Sequence, residues 1–132
     1  MTIKDLDPQL VWKNFYGLTQ VPRPSKHEEK ITSYLYNWGA SRGFETIVDN
    51  QPIGNVIIRK PATPGCENMK GVILQGHMDM VCEKNADCNL DFEKDGLKIE
   101  TDGEFIFANG TTLGADDGIA IAYSLAILAS DS

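Results

Sequence analysis

Apolar residues lie three and four positions apart in the first third of this chain and two positions apart after Gly43. The first spacing is typical of amphipathic helices, and the second is typical of strands. The sequence predicts one helix over residues 7–19 and a second helix after a capping box formed by Ser25 and Glu28, with Gly43 placed to end it. The chain therefore combines helices with strands.

Strands are predicted at residues 44–48, 55–59, 72–74, 97–101 and 104–107. A turn at residues 50–54 joins the first two strands, and Asp102-Gly103 joins the last two as a hairpin. The run at residues 72–74 is continuously apolar and bounded by glycines, which predicts a central strand buried on both faces.

The segment at residues 119–129 is rich in Ala, Leu and Ile, and it predicts a buried helix that begins near Asp117. Because this helix is apolar on all sides, it needs packing partners all around, which suggests that the 132 residues form part of a larger unit. The order of the elements predicts an α/β fold with a mixed sheet flanked by helices: the helices come first, the strands follow, and a strand leads into a helix at the end.

Charge and cysteine usage restrict the partners and the compartment. Lysine and arginine number 12 against 19 aspartates and glutamates, a formal net charge of −7. Such a surface repels nucleic-acid phosphates and anionic lipids, so neither nucleic acid nor a membrane is an expected partner. Cys66, Cys82 and Cys88 are odd in number and have no C-x-x-C spacing. A cytoplasmic location is therefore expected, rather than a disulfide framework or a thiolate zinc site.

His77 and Asp79 follow the predicted strand at residues 72–74, within the sequence QGHMD. Residues two apart on extended backbone share a face. Asp79 can therefore accept a hydrogen bond from one imidazole nitrogen of His77, which leaves the other nitrogen for a metal ion. Taken alone, a histidine that stabilises loop geometry is the commoner explanation of such a pair.

Two adjacent carboxylates, Asp116 and Asp117, lie in the glycine-rich segment GTTLGADDG at residues 110–118. The glycines allow positive φ angles or close approach of a ligand. Carboxylates are hard oxygen ligands, and one carboxylate often bridges the ions of two-metal hydrolases. A helix cap explains the same residues without any metal. One imidazole and one or two carboxylates are also too few for two tetrahedral zinc ions.

Taken together, these residues resemble the metal-dependent exopeptidase family that contains the aminoacyl-histidine (Xaa-His) dipeptidases, the carnosinase-like branch. The resemblance rests on VWKNFYGLTQVPRPSKHEEKI at residues 11–31, GVILQGHMDMVCEKN at 71–85 and NGTTLGADDGIA at 109–120. It implies that residues 1–132 are the N-terminal segment of a zinc-exopeptidase catalytic domain. A lid-like second domain and the other site residues, a Glu-Glu pair, a further Asp and a distant His, would lie outside this sequence.

The resemblance implies a role for each of three residues. His77 resembles the ligand of one metal ion, Asp116 the carboxylate that bridges both ions, and Asp79 the catalytic residue that orients His77. Two divalent metal ions are implied, with Zn²⁺ first and Co²⁺ or Mn²⁺ as alternatives. Relatives hold the peptide bond after the bridging aspartate in cis, so a cis Asp116-Asp117 bond is expected. Asp117 departs from the branch, which often has Asn at this position.

The implied activity is hydrolysis of dipeptides such as β-alanyl-histidine by a metal-activated water, in a full-length protein that forms homodimers. Two alternatives stay open. One is a tripeptidase, carboxypeptidase or N-acyl amino acid hydrolase of the same clan, and the other is a truncated module without activity. His77 and Asp116 are expected at neighbouring ends of the sheet. His27 is expected on the surface, and Cys82 is expected to be buried as a small apolar residue.

Overall fold

The computed structural model describes residues 2–49 and 54–131. Within these ranges, a 3-10 turn at Ile3–Asp5 precedes three α-helices, which are α1 (Gln9–Thr19), α2 (Glu29–Ser41) and α3 (Ala115–Ala129). The strands are β1 (Glu45–Asp49), β2 (Asn55–Arg59), β3 (Ile99–Thr101) and β4 (Ile106–Ala108). In the predicted turn that joins β1 to β2, residues 50–53 lie outside the described part of the chain.

The main hydrophobic core forms where α1 packs against α3. Phe15 and Leu18 of α1 are almost fully buried, as are Ala122 and Leu125 of α3. Small residues on α3 leave room for the larger side chains of α1: a Cβ atom added at Gly118 would lie 3.4 Å from the ring of Phe15. Burial of each large apolar side chain contributes about 1.5–3 kcal/mol, so this contact anchors the start of α3.

The second helix packs on the β1–β2 hairpin. Its apolar face is the one that the helical spacing predicts, with Ile31, Leu35 and Trp38 buried. Gly39 lies at the point of closest approach. A Cβ atom there would be 2.4 Å from Thr46 Oγ1 and 3.2 Å from two side-chain carbons of Ile58. The glycine therefore sets the distance between α2 and the hairpin.

The predicted Asp102-Gly103 hairpin is confirmed, with Thr101 opposite Ile106 in an antiparallel pair. The carboxylate of Asp102 stabilises the turn by accepting hydrogen bonds from two backbone amides, at 2.9 and 2.7 Å. β1 and β2 also pair antiparallel. The predicted combination of helices and sheets is confirmed, although the described strands form two separate antiparallel pairs rather than one mixed sheet.

The predicted central strand at residues 72–74 is wrong for the described chain. Val72, Ile73 and Leu74 are exposed, Ile73 by 92%. They make no backbone hydrogen bond to any other described residue. A central strand needs a paired strand on each side, and none of the described strands runs beside this segment.

The predicted all-round burial of α3 also differs from the structure. Its buried side, which includes Ala122 and Ala126, faces the core, whereas Tyr123 and Ile127 are about half exposed. The described residues cover one face of this helix and leave another open. None of the described helices is both long enough and apolar enough to span a bilayer.

Substitution of Gly39 by alanine tests the contact between α2 and the hairpin. Alanine is the better helix former, but its methyl group would overlap Thr46, and overpacking of this kind costs roughly 1–3 kcal/mol. We expect G39A to lower the midpoint of urea unfolding. Gly71, which has open space around it, provides the matched control: G71A should leave the midpoint nearly unchanged. Equal midpoints for the two variants would contradict the packing argument.

Candidate metal centre

The imidazole of His77 lies between two carboxylates. Its Nδ1 atom is 3.1 Å from Asp79 Oδ1 and 3.1 Å from the Asp79 backbone oxygen. Its Nε2 atom is 3.0 Å from Asp116 Oδ1. The sequence predicts His77 and Asp116 at neighbouring ends of the sheet despite the 39 positions between them. The structure brings the two side chains together, but neither residue lies at the end of a described strand. The predicted hydrogen bond between His77 and Asp79 is confirmed.

Ser25 holds the Asp79 carboxylate from the other side. Its hydroxyl donates to Asp79 Oδ2 at 2.5 Å. The predicted capping box at Ser25 and Glu28 is therefore wrong: Glu28 Oε1 accepts from the amide of Lys26, and α2 begins one residue after Glu28. Because Asp79 competes for the same hydroxyl, Ser25 links the loop before α2 to the candidate site.

The glycine-rich turn at residues 110–118 places Asp116 at the start of α3. Gly114 is left-handed, with φ of 71°, and the backbone of Asp116 and Asp117 is non-helical. The peptide bond between the two aspartates is cis, as the resemblance predicts. The side chain of Asp116 is 96% exposed, so it points out of the fold rather than capping the helix.

Asp117 fixes the backbone next to His77. Its Oδ2 atom accepts a hydrogen bond from the His77 amide at 3.3 Å. The same atom would be 2.7 Å from a Cβ added at Gly76, so the close approach requires glycine there. Of the two adjacent aspartates, Asp116 therefore contacts the imidazole and Asp117 contacts the main chain that carries it.

The surroundings of His77 and Asp79 shift the pKa values of both groups. Desolvation lowers the pKa of His77, but hydrogen bonds to Asp116 and Asp79 and the charge of Asp79 outweigh it and raise this pKa above its ordinary value. The hydrogen bond from Ser25 is the largest cause that lowers the pKa of Asp79, and the charge of His77 adds to this effect.

The distance between His77 Nε2 and Asp116 Oδ1 is compatible with the binding of both atoms to one metal ion. Two ligands of one tetrahedral zinc ion, each about 2.0–2.1 Å from the metal, lie roughly 3.3 Å apart. His77 Nε2 and Asp116 Oδ1 are 3.0 Å apart, close to that separation, and both side chains are open to solvent. A hydrogen bond joins the two atoms here, and a metal ion would replace its proton. The described residues contain no cluster of three or more His, Cys, Asp or Glu side chains that could hold an ion.

Other residues singled out from the sequence lie outside this arrangement. His27 is exposed, as predicted. Cys82 is half-buried in a small cluster with Met80, and burial raises the pKa of its thiol. Cys66, Cys82 and Cys88 are free.

Sequence reasoning missed two residues near the site, Ser25 and Arg23. The capping pattern gave Ser25 a local role, and an arginine between two prolines carried no signal of burial. The signal that could have pointed to both is the sequence PRPS, which cannot be helical and so leaves its polar side chains free for distant partners.

Comparisons with known proteins show similarity to two dipeptidases. The chain is 46% identical over 130 residues to the cytosol non-specific dipeptidase of Escherichia coli (strain K12), across 98% of this chain and 26% of that protein. It superimposes on the crystal structure of aminoacylhistidine dipeptidase from Vibrio alginolyticus with a TM-score of 0.93 and 48% identity, across 100% of this chain and 26% of the other. The chain resembles one part of a dipeptidase. It spans about a quarter of the length of these relatives. No protein-family model matches it.

A more distant structure has the same fold. A tripeptidase from Staphylococcus aureus matches 93% of this chain and 32% of its own length, with a TM-score of 0.65 and 21% identity. At this identity the match shows only that the helices and strands are arranged alike.

Replacement of Ser25 by alanine should raise the pKa of Asp79, because the hydroxyl donor is lost. A carboxyl group whose folded pKa is lowered stabilises the fold above its unfolded pKa, and this stabilisation is lost as the pH falls through the folded pKa. We therefore expect S25A to lower the unfolding temperature at neutral pH and to have less effect at strongly acidic pH.

Thermal unfolding across the acidic range measures this difference. The exposed Ser33 on α2 is the matched control, and S33A should show no pH-dependent change. An S25A effect of the same size at every pH would show that the hydroxyl does not act through the Asp79 carboxylate.

Proposed function

We propose that this chain forms part of the catalytic domain of a metal-dependent dipeptidase, in which His77 and Asp116 bind divalent metal ions and Asp79 orients His77. One observation carries the proposal: His77 Nε2 and Asp116 Oδ1 converge at 3.0 Å while the opposite ring nitrogen is held by Asp79. A carboxylate behind a metal-binding histidine fixes its tautomer and increases its basicity. The likeness to two dipeptidases supports this assignment.

Asp79, Asp116 and Ser25 then have distinct tasks. Asp79 keeps a proton on Nδ1, so that the lone pair of Nε2 is available for a cation. Asp116 offers two exposed oxygens, which suits a ligand shared by two ions. Ser25 stabilises the charged form of Asp79, and this carboxylate therefore remains able to accept a hydrogen bond from His77 Nδ1.

The resident cofactor in this proposal is a pair of divalent ions, Zn²⁺ first, with Co²⁺ or Mn²⁺ as alternatives. When bound, such ions polarise the scissile carbonyl and lower the pKa of a water molecule towards neutrality. A nitrogen ligand and carboxylate oxygens suit zinc. The two ions need more ligands than the described residues offer, so the proposal requires further side chains from the rest of a longer protein.

The proposed substrates are dipeptides, with β-alanyl-histidine as the first to test. One relative is named a non-specific dipeptidase and the other an aminoacylhistidine dipeptidase, so both narrow and broad selectivity fit the likeness. A cytoplasmic location is part of the proposal, supported by three free cysteines and by the name of the cytosol relative. A homodimeric full-length protein stays a prediction.

The test is a hydrolysis assay on the full-length protein from which this segment derives, after removal of metal and reloading with Zn²⁺. We expect turnover of β-alanyl-histidine that disappears with chelation. H77A should lose tight binding of one metal ion and nearly all turnover. H27A changes an exposed histidine outside the site and should keep both. Stoichiometric binding of two ions by H77A would remove His77 from the metal centre.

Asp79 is expected to affect catalysis more than metal content, because it acts on the ion through the imidazole. Changes to such supporting carboxylates typically cost about 10–100-fold in metal affinity or activity. D79N should therefore reduce kcat by this order while most of the metal is retained at saturating Zn²⁺. Asp87 is exposed, and D87N serves as the control with unchanged kcat. A D79N protein with the kcat of the parent would refute an orienting role.

A further inference from the structure

Arg23 is a buried cation next to the candidate metal centre. It lies between Pro22 and Pro24 in the loop that joins α1 to α2, and only 2% of its surface is exposed. Arginine is rarely buried to this extent unless it is paired. No ion pair links its guanidinium to a carboxylate among the described residues. Its burial therefore needs another explanation.

The guanidinium joins two segments that are far apart in sequence. Nη1 donates to the backbone oxygen of Met78 at 3.2 Å, and Nη2 donates to the backbone oxygen of Gly114 at 2.8 Å. Met78 lies between His77 and Asp79 in the sequence, and Gly114 precedes Asp116 by two positions. One side chain thus connects the backbone of the imidazole with that of the opposing carboxylate.

Two glycines make room for this contact. A Cβ atom added at Gly114 would be 2.6 Å from Arg23 Nη2, and one added at Gly118 would be 2.9 Å from the same atom. The glycines of the turn therefore admit the guanidinium as well as shaping the backbone. The main chain of Arg23 adds a third link, because its carbonyl accepts a hydrogen bond from the Met80 amide at 2.9 Å.

The contacts of Arg23 are poorly suited to stability alone. Its Nε atom is buried and has no hydrogen-bond partner among the described residues. Burial of a cation carries a desolvation penalty that two carbonyl oxygens offset only in part. Desolvation is also the main cause that lowers the pKa of Arg23. The planar fork of arginine, in contrast, can hold two carbonyls at a fixed separation.

We propose that Arg23 is a positioning residue of the metal centre, which sets the distance between His77 and Asp116 by holding the carbonyls of Met78 and Gly114. This inference rests on the proposed function, since it concerns the same ions. Arg23 touches neither the substrate nor the ions in this scheme. Its loss should change metal binding and kcat but leave KM for the dipeptide unchanged.

The experiment compares R23M and R23K with the parent in the full-length protein. R23M keeps an unbranched apolar stem but is shorter and removes the guanidinium with both donors, and we expect a metal affinity about 10–100-fold weaker, as for other groups that support ligands. R23K keeps the charge with a single donor nitrogen and should recover part of that loss. The absorption spectrum of the Co²⁺-loaded protein should shift in R23M, because the ligand geometry changes.

Two controls separate positioning from folding. R59M changes an exposed arginine on β2 and should leave affinity, spectrum and kcat unchanged. L35A removes a buried side chain of α2 and lowers stability without touching the site. We expect L35A, assayed while folded, to keep the parent's metal affinity and Co²⁺ spectrum.

The possible results lead to different conclusions. A folded R23M protein with the parent's affinity, spectrum and kcat would overturn the inference, as would an equal loss of affinity in L35A. If R23M does not fold, the same measurements on R23K decide, and a parent-like R23K would overturn it. A parent protein that neither binds metal nor hydrolyses dipeptides would overturn the proposed function itself, a result that is visible before any variant is made.

Discussion

The hydrogen bonds from Arg23 to two backbone carbonyls are the contacts on which the rest of the site depends. Their partners are 55 and 91 positions away in the sequence. Neither segment belongs to the β1–β2 hairpin or to the β3–β4 hairpin, although one antiparallel bridge between Lys84 and Thr111 joins the two segments farther along the chain. The loop after α1 adds the contact next to His77 and Asp116, and the packing of α1 against α3 keeps the loop in place. The core and the site are therefore coupled through one short segment.

Much of the fold follows from local sequence patterns. The apolar face of α2 could be predicted because Ile31, Leu35 and Trp38 recur at helical spacing, and a helix needs no distant partner to define which face is apolar. The contact between His77 and Asp79 could be predicted for a similar reason. Residues that are two positions apart on extended backbone lie on the same face, whatever surrounds them. The proximity of Asp116 required more than spacing, and it followed from the resemblance to a family.

The differences from prediction arise where the surroundings of a residue depend on segments that are distant in the sequence. Ser25 satisfies the capping pattern, but its hydroxyl bonds the Asp79 carboxylate instead, and no local pattern reports that competitor. The residues next to Ile73 in the sequence have the pattern of a buried strand. A strand in a sheet also needs a paired strand, and no described strand lies beside Ile73. Arg23 is charged, which normally places a residue on the surface, and its burial depends on glycines about 90 positions away.

The exposed apolar segment at residues 72–74 has a consequence for work in solution. Its backbone amides and carbonyls bond no other described residue, and its Val, Ile and Leu side chains face solvent. A segment of this kind is a template for strand addition between molecules, and high β-propensity without charge favours such association. The isolated 132-residue polypeptide is therefore prone to self-association at the concentrations used for spectroscopy. Any titration of its histidine with metal needs light scattering as a control for self-association.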